Sequence, residues 1–205
     1  MANMADPEHQ RELERETDSG PKPRSATAKA LRHAAHSYLQ RYASSKENLR
    51  RVLRQRLDRA IYAYGPAQNG TPEDIEDILR ECETLGLIND AEYAALMAKS
   101  WLIRGESVRA IQARLARKGV SSNMVDEALA AIKQSHPDVD LQAAIALVRR
   151  RRLGPMRLAE KREASLQKDL GVLARAGFTY PLARKVLDAK DDAALYDLIE
   201  ESQSR

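Results

Sequence analysis

Apolar residues recur at intervals of three and four positions along most of this chain, with polar and charged residues between them. That spacing places apolar side chains on one face of an α-helix and is typical of amphipathic helices. Runs rich in Val, Ile and Thr, which favour strands, are missing. The pattern therefore predicts an all-α protein. Two clear stripes are Leu49, Leu53, Leu57, Ile61 and Tyr64, then Ile75, Ile78, Leu79, Cys82 and Leu85.

Residue types that end and begin helices stand between the stripes. Thr27 is a candidate N-cap for the first helix. Gly86 suits the left-handed position that follows a helix. Asn89 is expected to cap the next helix, with Glu92 three residues on completing a capping box. The stretch from Gly86 to Glu92 thus predicts the junction between two helices.

The sequence also repeats itself. Residues 114–129 align with residues 172–187, and other matches link the first third of the chain to the second. Repeated helical units bury their apolar faces on their neighbours, so we expect an elongated, curved array of tandem three-helix repeats. The matched positions include Gly119 with Gly177 at an offset of 58, and Ser45 with Ser107 at an offset of 62.

These patterns divide the chain into five segments. The N-terminal segment has almost no bulky apolar residues and is expected to be a disordered tail. Three repeats follow, the first with about twelve extra residues. The predicted segments are the tail 1–26, repeat 1 at 27–86 with its insertion near 57–70, repeat 2 at 87–134, repeat 3 at 135–190, and a short C-terminal helix or tail at 191–205.

Charge is distributed in alternating blocks, although the formal net charge is only +4. Residues 28–64 hold nine basic against two acidic residues, and residues 71–94 hold one against eight. Two further basic blocks are 99–119, with six against one, and 149–175, with nine against three. Blocks of one sign act as local electrostatic surfaces. The basic blocks are expected to meet a polyanion or an acidic partner, the alternative being ordinary solvated helix faces.

Arginine and lysine residues in these blocks are the candidate binding residues. Four consecutive arginines, Arg149 to Arg152, circle most of a helix and cannot all lie on its packed face. Guanidinium forks suit both phosphate and carboxylate partners. Trp101 is expected to be core rather than a stacking platform. The full candidate set is Arg149, Arg150, Arg151, Arg152, Arg157, Lys161, Arg162, Arg104, Arg109, Arg114, Arg117, Lys118, Arg50 and Arg54.

Enzyme and metal-site hypotheses find little support. The one cysteine, Cys82, lies on an apolar stripe and is expected to be core. The four histidines have no spacing that would complete a metal site, and no phosphate-binding loop or nucleophile turn occurs. We expect a non-enzymatic, cytoplasmic protein with no cofactor, no metal and no membrane contact.

Three features together resemble the RecX family. The junction Gly-Leu-Ile-Asn-Asp-Ala-Glu-Tyr-Ala at 86–94 is similar to the family's Gly-Leu-Leu-Asp-Asp-x-x-Phe-Ala type signature. The stretch from Arg104-Gly105 to Lys118-Gly119-Val120 is similar to its Arg-Gly…Lys-Gly-Ile pattern, and the tandem three-helix units complete the likeness. The first unit departs from the pattern, since Arg56-Leu57 stands in place of the Lys-Gly turn.

The resemblance implies a negative modulator of the RecA recombinase. Such a protein binds the RecA–DNA filament and limits its recombinase, ATPase and co-protease activities in DNA repair and the SOS response. The implied partners are the RecA filament and single- or double-stranded DNA without sequence specificity, and the chain is expected to be a monomer. Two alternatives stay open: a free-standing DNA-binding protein of helix-turn-helix type, and a helical adaptor for an acidic protein.

Overall fold

The computed structural model describes residues 25–135 and 138–203, and no β-strand occurs within those two ranges. The prediction of an all-α protein is confirmed. The expected tail lies outside the described residues except for its last two positions, Ser25 and Ala26. The ten α-helices of the described ranges are α1 (Ala28–Leu39), α2 (Lys46–Tyr64), α3 (Pro72–Thr84), α4 (Asp90–Ile103), α5 (Val108–Arg117), α6 (Ser122–Ser135), α7 (Val139–Arg151), α8 (Ala159–Arg175), α9 (Tyr180–Leu187) and α10 (Asp192–Gln203).

These residues form two compact units. Unit 1 comprises residues 25–41 and 50–81, and unit 2 comprises residues 42–49 and 82–203. Three helices fall in each of the three predicted repeats, and α10 follows them. The repeat boundaries themselves stay a prediction.

In unit 1, the segment that begins α1 is hydrogen-bonded to the loop that precedes α3. Thr27 is the N-cap of α1, as predicted, and its hydroxyl accepts a hydrogen bond from the Ala30 amide at 3.3 Å. The Ala26 amide donates to Asn69 Oδ1 at 2.7 Å, and the Gly70 amide donates to the Ala26 carbonyl at 2.9 Å. These bonds satisfy buried backbone groups that would otherwise destabilise the unit.

The predicted apolar stripes are buried except at their C-terminal ends. Tyr64, the last residue of α2, is 42% exposed, and Leu85 is 59% exposed, so these two members of the stripes lie outside the core. Leu85 follows the last residue of α3 and has left the helical register. The extra residues of the first repeat lengthen α2 to 19 residues, against 10 in α5, and add a 3-10 helix at Pro66–Gln68.

In unit 2, helix α7 is the central element. It packs against α4 and α9, and also against α10. Because α7 has neighbours on several sides, it needs apolar residues around most of its circumference. Seven of its 13 residues are buried: Val139, Leu141, Ala143, Ala144, Ile145, Leu147 and Val148.

Ser45 and Ser107 make the same two hydrogen bonds at two places in unit 2. The Ser45 hydroxyl donates to the Lys118 carbonyl, and the Ser107 hydroxyl donates to the Ala176 carbonyl at 2.8 Å. Both hydroxyls also accept the amide three residues ahead and so cap their own helices. Each serine therefore caps one helix and binds the end of another.

The residue after each serine donates its backbone amide to an aspartate. The Lys46 amide donates to Asp90 Oδ1 and the Val108 amide donates to Asp140 Oδ1, both at 2.8 Å. An amide in the first turn of a helix has no intrahelical acceptor, so each carboxylate supplies the missing partner. We call these serine and aspartate hydrogen bonds together a joint. The joint recurs at the spacing that the sequence repeat predicts.

Glycine completes each joint. Gly119 and Gly177 follow the bound carbonyls in left-handed conformations, with φ of 77° and 90°. A Cβ on Gly119 would lie 2.3 Å from the Glu47 side chain, and one on Gly177 would lie 2.3 Å from Ser107 Oγ. Only glycine provides both the conformation and the space.

Candidate functional site

The predicted cations separate into those that the chain uses for its own contacts and those that it leaves at the surface. Arg117 is exposed but has an intrachain contact. Side chains with a partner in the chain are Arg50, Arg54, Arg114, Lys118, Arg149, Arg157 and Arg162. Exposed side chains with no hydrogen bond or ion pair to any residue in 25–135 or 138–203 are Arg104, Arg109, Arg150, Arg151, Arg152 and Lys161.

Arg149 attaches the final helix to α7. Its Nε donates to Asp192 Oδ1 at 2.6 Å, and its guanidinium lies 4.1 Å from the centre of the Tyr196 ring. Its Nη2 is buried and has no hydrogen-bond partner among the described residues. This arginine therefore serves the packing of α10 as well as contributing charge.

Arg157 neutralises a buried carboxylate. Its Nε and Nη2 donate to Asp169 Oδ2 and Oδ1 at 2.8 and 2.7 Å, and the Gly154 amide donates to Oδ2 at 2.9 Å. Burial raises the pKa of Asp169, but these hydrogen bonds outweigh it and the net pKa lies below the ordinary value. Asp169 was not among the predicted site residues, although it lies three residues after Leu166 on the apolar face of α8.

Arg162 connects the same loop to the segment between α9 and α10 through backbone carbonyls. It donates to the carbonyls of Arg157, Pro155 and Lys190 at 3.2, 2.9 and 2.6 Å. Arg157 and Arg162 were predicted as binding residues, but their guanidinium groups are largely committed to the loop between α7 and α8. They position that loop, which begins with Arg152.

Arg150, Arg151 and Arg152 are exposed at the end of α7. Arg150 and Arg151 are the last two residues of α7, and successive helical residues turn by about 100°, so their side chains leave the helix in different directions. Arg152 follows the helix with a φ of 52°. A helix C-terminus attracts cations, since the last carbonyls carry partial negative charge. These arginines form the densest group of uncommitted cations in the described part of the chain.

The middle set of cations, around α5, is partly structural. Trp101 is buried, as predicted, and the Arg114 guanidinium lies 4.1 Å from the centre of its ring while pairing with Glu106. Lys118 Nζ donates to Asn48 Oδ1 at 2.9 Å. Arg104, Arg109 and Arg117 are the exposed members of this set.

In unit 1 the basic and acidic blocks pair with each other. Arg50 binds Glu76 through two hydrogen bonds of 2.7 and 2.9 Å, and Arg54 lies 3.8 Å from the same carboxylate. Arg32 similarly pairs with Glu81 at 2.8 Å. Part of the alternating charge pattern therefore reflects contacts within the chain rather than an external partner.

The surface of unit 2 also has an open groove of about 380 Å³. It is lined mainly by apolar side chains, among them Leu102, Ile103, Val139 and Ala143. The described ranges contain no group of three His, Cys, Asp or Glu residues placed to hold a metal ion. Across the same ranges, no helix has the length and apolarity needed to cross a membrane.

Comparison with known proteins gives the family. A family described as "RecX, second three-helix domain" matches residues 89–129, the range that holds α4, α5 and most of α6. A regulatory protein RecX from Myxococcus xanthus (strain DK1622) is 36% identical over 178 residues, covering 86% of this chain and 94% of the relative. The chain belongs to the RecX family. The regulatory protein RecX of Amycolatopsis mediterranei (strain U-32) is 33% identical over 146 residues, covering 71% and 74%.

Solved RecX structures share the helical fold. One titled "Crystal structure of regulatory protein RecX" superposes with a TM-score of 0.51 at 20% identity, covering 92% of this chain and 80% of the other. RecX from Lactobacillus salivarius gives a TM-score of 0.52 at 17% identity, covering 80% and 96%. These structures support the all-α fold, and the relatives of higher identity confirm the family resemblance noted in the sequence.

Proposed function

We propose that this RecX-family protein binds the RecA–DNA filament and restrains it. The observation that carries the proposal is family membership, since relatives covering most of the chain are named regulatory protein RecX. The proposed effect is reduced filament growth, strand exchange, ATP hydrolysis and co-protease activity in DNA repair and the SOS response. The protein acts by binding, as a cytoplasmic monomer without a cofactor, and carries out no reaction of its own.

The exposed cations of unit 2 supply the proposed binding energy. They include Arg104, Arg109 and Lys161 together with the three arginines at the end of α7. Contacts of this kind to phosphate are independent of sequence and sensitive to salt. A filament that exposes both nucleic acid and acidic protein side chains offers partners to such a surface.

Hydrolysis of ATP by RecA on single-stranded DNA tests the proposal. RecA is assembled on an oligonucleotide with ATP, the protein is added in increasing amounts, and phosphate release is recorded. We expect the rate to fall before the protein equals RecA in concentration. An unrelated helical protein with a net charge near +4 is the control, and an unchanged rate at equal concentration would reject the proposal.

A second assay separates the alternatives. Binding to a short duplex in the absence of RecA, with preference for one sequence, would favour a helix-turn-helix DNA-binding protein. Binding to RecA that is insensitive to salt would favour a helical adaptor. The proposed modulator is expected to show salt-sensitive binding without sequence preference.

A further inference from the structure

Five of the described helices end in the same turn. In each, the amide two residues beyond the last helical turn donates back to a carbonyl five residues earlier, which is the pattern of a Schellman motif. The bonds are 2.8, 3.0, 3.2, 2.9 and 3.1 Å, and the residue before each donor has a positive φ. The donor and acceptor pairs are Leu87 and Cys82, Glu106 and Trp101, Val120 and Leu115, Leu153 and Val148, and Phe178 and Leu173.

Glycine occupies the left-handed position in four of these turns, and arginine occupies it in the fifth. Arg152 has φ of 52° and ψ of 53°, and it is the one residue other than glycine with positive φ in the described ranges. The left-handed conformation is unfavourable for an L-residue because Cβ approaches the following carbonyl oxygen. Gly86 has nothing within 4 Å of an added Cβ, so glycine stands there for its conformation alone.

Contacts within the described part of the chain do not account for the Arg152 side chain. It is exposed and makes no hydrogen bond or ion pair there. Attraction to the helix C-terminus is already provided by Arg150 and Arg151. A strained conformation retained for an exposed side chain points to a use outside the chain.

The loop that follows Arg152 is fixed by burial and by hydrogen bonds. Leu153 is buried, and the Gly154 amide is bound by Asp169, which Arg157 also clamps. A fixed turn lowers the ordering cost of binding. From Arg150 to Arg157 the exposed side chains are arginines, whereas Leu153, Gly154 and Pro155 are buried. The next residue, Leu158, is also exposed.

We propose that Arg150, Arg151 and Arg152 form a binding site for the phosphodiester backbone of nucleic acid, and that Arg152 is kept at its strained position for this contact. Three guanidinium groups spread around a helix end match a repeating anion better than a single acidic patch. The inference rests on the proposed function in assigning this contact to the DNA of the filament. It is tested on DNA alone.

The test is the substitution Arg152→Gly, which removes the charge and the strain together. Binding of a fluorescent 30-residue thymidine oligonucleotide is followed by anisotropy across a salt series. Affinity is expected to fall roughly threefold or more, and the slope of log K against log salt to decrease by about 0.7, the value for one phosphate contact on a single strand. The melting temperature is expected to rise by about 2–4 °C.

Two variants control for charge and strain. Lys133→Gln removes an exposed cation from the last turn of α6 and is expected to leave affinity within roughly 1.5-fold and the salt slope unchanged. Arg152→Lys retains both the charge and the left-handed conformation and is expected to keep the salt slope and the melting temperature. Circular dichroism confirms that each variant is folded.

Each outcome decides the inference. Wild-type affinity in Arg152→Gly, loss of affinity for a poly-glutamate peptide instead of the oligonucleotide, or a lower melting temperature would overturn it. If Arg152→Gly loses oligonucleotide affinity while the wild-type protein leaves RecA hydrolysis unchanged, the site stands and the proposed function fails. If the wild-type protein slows hydrolysis but Arg152→Gly binds normally, the function stands and the site fails.

Discussion

Replacing Asp169 with asparagine should destabilise unit 2 by about 3 kcal/mol. Removing one partner from a fully buried ion pair costs about 3–5 kcal/mol. Asp169 is 1% exposed and accepts three hydrogen bonds, two of them from Arg157. The lower end of the range applies because the Arg157 side chain is 27% exposed and regains water. Asparagine also retains one acceptor for the Gly154 amide.

Equilibrium unfolding in urea, followed by tryptophan fluorescence, measures this loss. Trp101 is the one tryptophan of the chain and is buried in unit 2, so its emission reports on the unit that contains Asp169. Asp188→Asn is the matched control, because Asp188 is half-exposed, directly follows α9 and pairs with Arg184 four positions earlier at 2.9 Å. That pair is worth at most about 0.5 kcal/mol. Equal losses in the two variants would refute the reasoning.

The same substitution has a predicted pH dependence. The pKa of Asp169 is lowered in the folded protein, so its ionised form stabilises the fold above the unfolded value of about 3.9. That contribution is lost as the pH falls through the folded pKa. The difference in unfolding free energy between wild type and Asp169→Asn should be constant above about pH 5 and shrink below about pH 4. A difference that grows towards acid pH would contradict the assignment.

Two other substitutions test the packing of unit 2. Gly177→Ala should lower the free energy of unfolding by about 3 kcal/mol, because alanine is strained in the left-handed conformation and its Cβ would clash with Ser107. Gly86→Ala has open space around the new Cβ and should lower it by about 1 kcal/mol. Equal losses in urea unfolding would contradict the clash. Tyr196→Ala should cost about 0.5–1 kcal/mol through its contact with Arg149, and Tyr62→Ala, at an almost fully exposed position, should be neutral in thermal melts. Equal melting temperatures would contradict the tyrosine contact.

Local features of the fold were predictable because they depend on neighbouring residues. Thr27 caps α1, Asn89 caps α4 through the amides of Ala91 and Glu92, and Gly86 adopts a left-handed conformation. These signals arise from hydrogen bonds within a few positions of the chain. Helix ends were less predictable, as Leu85 shows, because a stripe continues in sequence after the helix has stopped.

Features that depend on residues distant in sequence were not predictable. The bond from Ser107 to Ala176 spans 69 positions, and the pair of Arg157 and Asp169 is recognisable only once the loop is folded. For the same reason the sequence predicted more binding residues than the structure leaves available. A sequence does not reveal that Arg50 is committed to Glu76 while Arg152 is exposed.

Direct binding to the filament tests the central claim. The protein, labelled at its N-terminus, is titrated with RecA assembled on single-stranded DNA in the presence of a slowly hydrolysed ATP analogue, and separately with RecA alone and with DNA alone. The account predicts tighter binding to the filament than to either component, weakening as salt increases. Binding to the filament no tighter than to its DNA would contradict it.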